Sequence, residues 1–270
     1  MSESGYVEVN DGRVFYTCDG EGPPVVLLHG GLIDHHMFDP QVEALSQDHT
    51  LVRMDLRGYG RSSVPGSETY RHCNDVASVV DALGFDRVVV GGESFGGAVT
   101  LDFAFAYRDR AAGLIFDAAT PFAGWKWHGE FAAKPIFAAA RTGGVAAARR
   151  AMLESELMAS AMEHPEVAAS LTDMVDRYSG WHFENPDPAE WAEGNAMGRL
   201  DEITAPALVV IGGRDVLDFR LMGEALAEGL PNATRHLWPD SGHVPNMEEP
   251  DRFNELIIDF LNTVYTTETS

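Results

Sequence analysis

Apolar runs alternate with turn residues along the first 120 residues of the chain. The segments YVEVN and RVFYTCD flank the dipeptide Asp11-Gly12, which is the signal of an antiparallel hairpin. The later runs PPVVLLHG, TLVRMDL, RVVVGGE and AGLIFDAA are almost continuously apolar, as in strands buried on both faces. Helix-compatible segments lie near 37–47, 68–83 and 95–109. Because parallel strands need crossover connections, this order predicts a mostly parallel α/β sheet.

The pattern changes between Pro121 and about Asn195, where the chain is rich in Ala, Met, Trp and Glu and shows no clear strand. Strand and helix patterns resume with APALVVIGGRD, a helix near 221–229, the strand TRHLW and the closing helix PDRFNELIIDFLNTVY. We therefore predict an α/β core at 1–120 and 196–270 and a helical cap insertion at 121–195.

The predicted cap is rich in large apolar side chains. We expect most of them to form a helical core and a few to contact a ligand, without knowing which, so the substrate-binding residues stay unknown. The set comprises Trp125, Trp127, Trp181, Trp191, Phe122, Phe131, Phe137, Met152, Met158 and Met162.

The formal net charge of −23 argues against nucleic acid and anionic membrane surfaces as partners. Cys18 and Cys73 are not in a metal-ligand spacing, and the histidines give none either, so we expect neither a disulfide framework nor a metal. The segment MSESGYVEVN lacks the features of a signal peptide, and no apolar stretch is long enough for a membrane span. We expect a cytoplasmic protein, a monomer or homodimer, whose partner is a small-molecule substrate.

The stretch GESFG, Gly92 to Gly96, fits G-x-S-x-G and has a strand before it and a helix after it. A serine hydroxyl is a weak nucleophile and needs a base and a group that orients the base. Asp215 ends the apolar run LVVIGGRD, and His243 lies in the loop after the next strand. The order Ser94, Asp215, His243 is the order that accompanies this motif.

These pieces resemble the α/β-hydrolase superfamily over nearly the whole chain. Five motifs carry the resemblance, namely LLHGG, DLRGYGRS, GESFGG, GGRD and SGH, in this order. The resemblance implies an eight-stranded, mostly parallel sheet with helices on both faces and a helical cap. It also implies Ser94 as nucleophile, His243 as base and acid, and Asp215 as the group that orients the imidazole.

The same resemblance implies an oxyanion hole made of the backbone N–H groups of Gly31 and Phe95, with Leu32 as the second choice for Gly31. Asp117, which ends the strand LIFDAAT, is the alternative acid because some relatives carry the acid there. Glu93 is interpreted as tuning specificity or as a buried or partly exposed structural group. His29 is expected to brace its loop.

The other polar groups near these motifs are interpreted as structural. Asp218 is expected to be a solvated loop carboxylate, and His35 and His36 a solvated loop pair that could otherwise reach substrate. We expect a loop-stabilising charge cluster of Asp55, Arg57 and Arg61.

The leading functional hypothesis is hydrolysis of a carboxylic ester, lactone or thioester of a small, largely apolar substrate through an acyl-enzyme, without a cofactor. The serine nucleophile excludes epoxide hydrolase and haloalkane dehalogenase chemistry, since those relatives use an aspartate. Hydrolytic carbon-carbon cleavage of a diketone-like ring-opening product is the main alternative, although that branch typically has Trp where this chain has Val244. Cofactor-independent peroxidation and a triad-bearing small-molecule receptor with little turnover are further alternatives.

Overall fold

Eight strands form one sheet in a computed structural model that describes residues 2–121, 123–191 and 196–268. The strands are β1 Ser2–Val9, β2 Gly12–Asp19, β3 Pro24–Leu28, β4 Thr50–Met54, β5 Val88–Glu93, β6 Ala111–Asp117, β7 Ala207–Gly212 and β8 Ala233–Trp238. Their order is β1-β2-β4-β3-β5-β6-β7-β8. β1 and β2 form the predicted hairpin, β2 pairs antiparallel with β4, and all further pairs are parallel. The predicted mostly parallel eight-stranded sheet is confirmed.

Helices connect these strands and cover both faces of the sheet. They are α1 Asp39–Leu45, α2 His72–Ala82, α3 Phe95–Ala106, α4 Lys134–Leu153, α5 Pro165–Arg177, α6 Trp181–Glu184, α7 Leu217–Gly229, α8 Pro245–Glu248 and α9 Pro250–Glu268. The crossover through α1 moves from β3 to β4, and the crossover through α2 moves back past β3 to β5. Because parallel crossovers are right-handed, connections in opposite directions lie on opposite faces.

The crossover connections change direction between β3 and β5, and this change marks the edge of the sheet where a ligand site is expected. β3 and β5 are neighbours, and their connections leave in opposite directions. In open α/β sheets a crevice forms outside the carboxyl ends of such strands, where ligands bind. The loops that start at this point carry residues 29–32 and Ser94.

Helix α9 illustrates how the sequence pattern produces the packing. Phe253, Ile257 and Leu261 recur every four residues and are fully buried, so they form one apolar stripe. This stripe belongs to the continuous core, and α9 packs with α1 on the same face of the sheet. Each such side chain contributes about 1.5–3 kcal/mol on burial.

The segment between β6 and β7, here called the inserted segment (residues 121–195), carries α4, α5 and α6. Gly144 interrupts α4 with a φ of 71°, a non-helical value that divides this helix into two arms joined by a kink. Within its described part the only β-type pairing is a bridge between Tyr70 and Ala189. Phe122 and residues 192–195, which include the predicted boundary at 195, lie outside the described residues. The division into core and cap therefore stays a prediction.

A search of the described residues finds no helix that is both long and apolar enough to cross a membrane.

Candidate active site

Ser94 lies on a sharp turn between β5 and α3, with φ 45° and ψ −110°. Such a backbone conformation is strained for a residue other than glycine. The flanking glycines are required because a Cβ on Gly96 would lie 2.0 Å from the carbonyl oxygen of Leu28, and a Cβ on Gly92 would lie 2.2 Å from the carbonyl carbon of Gly96. This is the strained strand-to-helix turn that is typical of the G-x-S-x-G motif.

The structure brings together the three residues predicted to act as a triad. Nε2 of His243 lies 3.1 Å from Oγ of Ser94, and Nδ1 lies 2.8 Å from Oδ2 of Asp215. The other oxygen of Asp215 accepts a hydrogen bond from the backbone N–H of Val216 at 2.7 Å. These distances allow proton transfer from serine to imidazole. The catalytic roles of the three residues stay a prediction.

A buried carboxylate holds the loop that carries His243. Glu248 accepts hydrogen bonds from the backbone N–H groups of Gly242 at 2.9 Å and Val244 at 3.3 Å. The hydroxyl of Ser160 in the inserted segment donates to the same carboxylate at 2.5 Å. The side chain of Glu248 therefore connects the loop that carries His243 to the inserted segment.

Asp117, the alternative acid, is the last residue of β6 and is 1% exposed. The imidazole of His243 nevertheless hydrogen-bonds to Asp215 at Nδ1 and faces Ser94 at Nε2. Burial, followed by the nearby carboxyl of Glu93, raises the pKa of Asp117 well above its usual range. A raised pKa disfavours the carboxylate form that stabilises an imidazolium, and the hydrogen bond of His243 goes to Asp215, so the geometry favours Asp215 as the acid of the predicted triad.

Glu93 is buried directly beside the proposed nucleophile, at 1% exposure, and its Oε1 lies 3.4 Å from Nε2 of His243. Burial and then Asp215 raise the pKa of Glu93 to about 8, against the lowering effect of His243. Space for this carboxyl exists because residue 30 is glycine: a Cβ on Gly30 would lie 1.9 Å from Oε2 of Glu93. Glu93 is thus a buried group, and not a partly exposed one.

His243 lies among carboxyl groups that favour its charged form. Burial by itself lowers the pKa of His243, but Asp215, then Glu93 and Asp117, raise it to about 9. The neutral imidazole, the form that is able to accept a proton, consequently forms at a higher pH than for an exposed histidine.

The loop expected to supply part of an oxyanion hole lies against the turn that carries Ser94. A Cβ on Gly31 would lie 4.0 Å from Cβ of Phe95, and Leu32 has a φ of 67°. His29 is 0% exposed and accepts a hydrogen bond from the N–H of Leu56 at 3.0 Å through Nε2, which agrees with its predicted bracing role. The assignment of Gly31 and Phe95 as oxyanion donors stays a prediction.

Two predictions about polar loop residues are wrong. Asp218 is not a solvated loop carboxylate: it lies in the first turn of α7, is 5% exposed, and accepts hydrogen bonds from Nε1 of Trp125 at 3.0 Å and the N–H of His128 at 3.1 Å. His35 is not solvated either, since it is 4% exposed and its Nδ1 lies 2.7 Å from Oδ1 of Asp55. In both cases a buried carboxylate gains hydrogen bonds from a segment distant in sequence, which the local pattern does not reveal.

Asp55, Arg57 and Arg61 stabilise their loop, but not as one cluster. Asp55 accepts a hydrogen bond from the backbone N–H of Arg61 at 2.8 Å. Arg57 forms a bidentate pair with Asp75, at 3.0 and 2.7 Å, and the guanidinium of Arg61 lies over the ring of Phe15. The expected loop role holds for each residue, whereas the carboxylate partner of Arg57 was not foreseen.

Within the described ranges, one group of side chains has the composition of a metal site: Asp34, His35 and His36. Nδ1 of His35 is engaged with Asp55, and Nδ1 of His36 with Asp34 at 2.7 Å. The guanidinium of Arg177 also lies 3.3 Å from Asp34 and 3.4 Å from Nδ1 of His36. A fixed positive charge at this position opposes a bound cation, so these residues do not fit a metal site.

A cavity of about 250 Å³ opens at the proposed triad. Ser94, Phe95, His243 and Gly31 lie on its wall. The inserted segment contributes a mostly apolar lining that includes Phe131, Ile136, Phe137, Met152, Leu157 and Met158. Of the large side chains singled out in the sequence, Phe131, Phe137, Met152 and Met158 are therefore at the cavity, and the described Trp125, Trp127, Trp181, Trp191 and Met162 are not among its lining residues.

Sequence reasoning missed polar groups on the same cavity wall. Thr120 is 0% exposed, and its Oγ1 lies 3.2 Å from Oγ of Ser94. Tyr59 stacks on the ring of His182 with a centroid separation of 4.5 Å, and Asp187 lies nearby. Thr120 follows the apolar run LIFDAA at the carboxyl end of β6, next to β5, and that position is the signal which could have identified it.

Comparison with known proteins agrees with this geometry. Residues 23–250 match the model of the alpha/beta hydrolase fold family. The chain belongs to this family. The α/β hydrolase is 30% identical to the 2-hydroxy-6-oxononadienedioate/2-hydroxy-6-oxononatrienedioate hydrolase of Paraburkholderia phymatum, over 96% of this chain and 95% of that protein.

Solved structures of esterases and lactonases share the fold of this α/β hydrolase. A thermophilic esterase from Thermogutta terrifontis is 28% identical, with a TM-score of 0.82 over 97% of this chain and 99% of that chain. The enol-lactonase from Burkholderia xenovorans LB400 is 29% identical, with a TM-score of 0.79 over 96% of this chain and 100% of that chain. Fold and family together make this chain a hydrolase, and the bond that it cleaves is a separate question.

Proposed function

We propose that this α/β hydrolase cleaves a carboxylic ester, lactone or thioester of a small, uncharged, largely apolar substrate. The observation that carries the proposal is the cavity, which has Ser94 and His243 on its wall and is otherwise mostly apolar. Its volume of about 250 Å³ is below the roughly 300–1,000 Å³ of pockets for drug-sized ligands, which favours a small substrate. The inserted segment would then act as the cap of the substrate pocket.

In the proposed reaction, Oγ of Ser94 attacks the substrate carbonyl carbon as its proton passes to Nε2 of His243. The N–H groups of Gly31 and Phe95 hold the oxyanion. The imidazolium then protonates the leaving alcohol or thiol, and an acyl-enzyme remains. Water gives a proton to His243, attacks the acyl carbon and releases the acid with a neutral serine. The reaction needs no cofactor.

Carbon-carbon hydrolysis is the second candidate, because a relative is named for a dioate substrate. A dioate carries two negative charges at neutral pH and is best held by Arg or Lys. Neither residue type is among the described residues that line the cavity, whereas the carboxyl groups Glu93 and Asp187 are. This charge pattern supports the uncharged ester over the dianionic substrate.

The test is the initial rate on p-nitrophenyl esters from acetate to decanoate, at low and high salt, with Ser94→Ala as the baseline. We expect wild-type hydrolysis far above that baseline, with short acyl chains preferred over decanoate. A parallel assay follows the loss of absorbance of a 2-hydroxy-6-oxo-dienoate. Turnover of the dienoate without ester hydrolysis would overturn the proposal in favour of carbon-carbon cleavage.

The same assay separates an enzyme from a receptor. A receptor should bind its ligand and turn it over at or below about once per minute, far under the roughly 1–1,000 per second usual for enzymes. Rates in that low range on all esters, with no dependence on Ser94, would contradict an esterase.

A further inference from the structure

The chain after β6 wraps closely around Ser94. The N–H of Ser94 donates to the carbonyl of Asp117 at 2.9 Å, and the N–H of Thr120 donates to the carbonyl of Ser94 at 3.1 Å. Between them Ala118 has a φ of 44°, a left-handed conformation that is strained for a residue other than glycine. The hydrogen bonds on either side of Ala118 hold Thr120 against the turn that carries Ser94.

The side chain of Thr120 adds a third contact between this segment and Ser94. Its Oγ1 lies 3.2 Å from Oγ of Ser94, and Thr120 is 0% exposed and lies on the cavity wall. We propose that Thr120 is a positioning residue for the nucleophile. The hydroxyl of Thr120 donates a hydrogen bond to Oγ of Ser94. This inference rests on the proposed function only in taking Ser94 as the nucleophile.

The direction of the hydrogen bond follows from the neighbours of the imidazole. Nδ1 of His243 faces the carboxylate of Asp215, so in the neutral ring Nδ1 carries the proton. Nε2 is then an acceptor, and Ser94 must donate its only proton to it across 3.1 Å. Oγ of Ser94 keeps acceptor capacity, which leaves Thr120 as the donor in their contact.

This arrangement assists the step in which Ser94 loses its proton. Oγ gains negative charge as its proton passes to Nε2 and before the bond to the carbonyl carbon is complete. A buried donor already aimed at Oγ stabilises that charge, and Thr120 keeps its own proton throughout. The same bond restricts rotation of the Ser94 side chain, so that Oγ stays directed at His243.

The experiment compares Thr120→Val, which removes the hydroxyl at nearly constant volume, with Thr120→Ser, which retains it. A hydrogen bond to a charged group contributes about 1.5–3 kcal/mol, so we expect Thr120→Val to lower kcat on the preferred ester about ten-fold or more, with KM little changed. We expect Thr120→Ser to restore most of the rate. The matched control is Thr50→Val, since Thr50 is also buried and donates to one backbone carbonyl, of Gly22, away from the cavity.

A second measurement is independent of the substrate. Covalent labelling of Ser94 by a fluorophosphonate reports on the nucleophile without requiring turnover of an ester. We expect Thr120→Val to label about ten-fold more slowly than wild type and Thr120→Ser to label at a rate near that of wild type. Wild type that labels but hydrolyses no ester would contradict the proposed function and leave this inference standing. Equal labelling rates for wild type and Thr120→Val, or equal slowing in both Thr120 variants, would overturn it.

Discussion

The carboxyl edge of the sheet and the inserted segment face each other across one cavity, and they are built differently. At the sheet edge, polar side chains are buried and held by short hydrogen bonds, as in the pair of His243 and Asp215 at 2.8 Å. The inserted segment presents mostly apolar groups to the cavity, such as Ile136 and Met158. It meets the sheet edge through separate polar contacts, for example between Ser160 and Glu248.

Under the proposed function, this difference gives the two regions separate tasks. Reaction chemistry needs donors and charges fixed in position, and the sheet edge supplies them on strand ends. Selection of a small apolar substrate needs shape and apolar area, which the inserted segment supplies. Changes at the sheet edge should therefore affect the rate at constant selectivity, and changes in the inserted segment should affect selectivity at nearly constant chemistry.

The largest effect is expected at Asp215. Asp215→Asn should lower kcat about 10⁴-fold, because an amide in this position favours the wrong tautomer of His243. Asp117→Asn should leave kcat within about ten-fold of wild type, because Asp215 and not Asp117 accepts the hydrogen bond from Nδ1 of the imidazole. The measurement is kcat on the preferred ester, with circular dichroism to confirm folding. A greater loss in Asp117→Asn than in Asp215→Asn would move the acid to β6.

Glu93→Gln tests how strongly the carboxyl group of Glu93 favours the charged form of His243. Activity rises as His243 loses its proton, so a raised pKa places the rising limb of kcat/KM above the ordinary histidine pKa of about 6.5. Removing the Glu93 carboxylate removes a group that favours the imidazolium. The rising limb of kcat/KM should therefore move to lower pH. The plateau of kcat/KM should fall about ten-fold, because the imidazolium formed during the reaction loses about one pKa unit of stabilisation.

Asp187→Asn is the control for this change, because Asp187 is also an acid on the cavity wall but does not contact His243. Asp187→Asn should leave the rising limb of kcat/KM at the same pH as in wild type. An unshifted limb in Glu93→Gln would mean that the contact of 3.4 Å between Glu93 and His243 carries no electrostatic coupling.

The sheet edge was also the part most open to prediction from sequence. Continuous apolar runs predicted the buried strands, and the residues that follow those runs reach one edge, so Ser94, Asp215 and His243 could be identified as candidates. Asp218 and His35 could not be judged correctly, because their partners Trp125 and Asp55 lie far away in sequence. Local pattern contains no information about such contacts.

Met158→Ala should alter selectivity more than chemistry. Met158 is 2% exposed and lies on the cavity wall, so its truncation enlarges the cavity. We expect a shift of the preferred acyl chain to greater length, with kcat on the acetate ester within about three-fold of wild type, and a lower thermal midpoint because a buried methionine is lost. Met162→Ala is the control, since Met162 belongs to the same segment and is 37% exposed. Equal chain-length profiles in wild type and Met158→Ala would show that Met158 does not shape the acyl site.

The smallest effect is expected at the exposed contact between the two regions. Arg214, beside Asp215, forms a forked pair with Glu163 of the inserted segment, at 2.9 and 2.6 Å. Exposed ion pairs contribute little and are screened by salt, so Arg214→Gln should lower the thermal midpoint slightly at low salt and not at high salt. Arg235→Gln is the matched control, because Arg235 of β8 forms a similar exposed forked pair with Glu224 of α7, away from the inserted segment. If Arg214→Gln changed the chain-length profile while Arg235→Gln did not, the selectivity of the cavity would depend on how the inserted segment is docked as well as on its apolar lining.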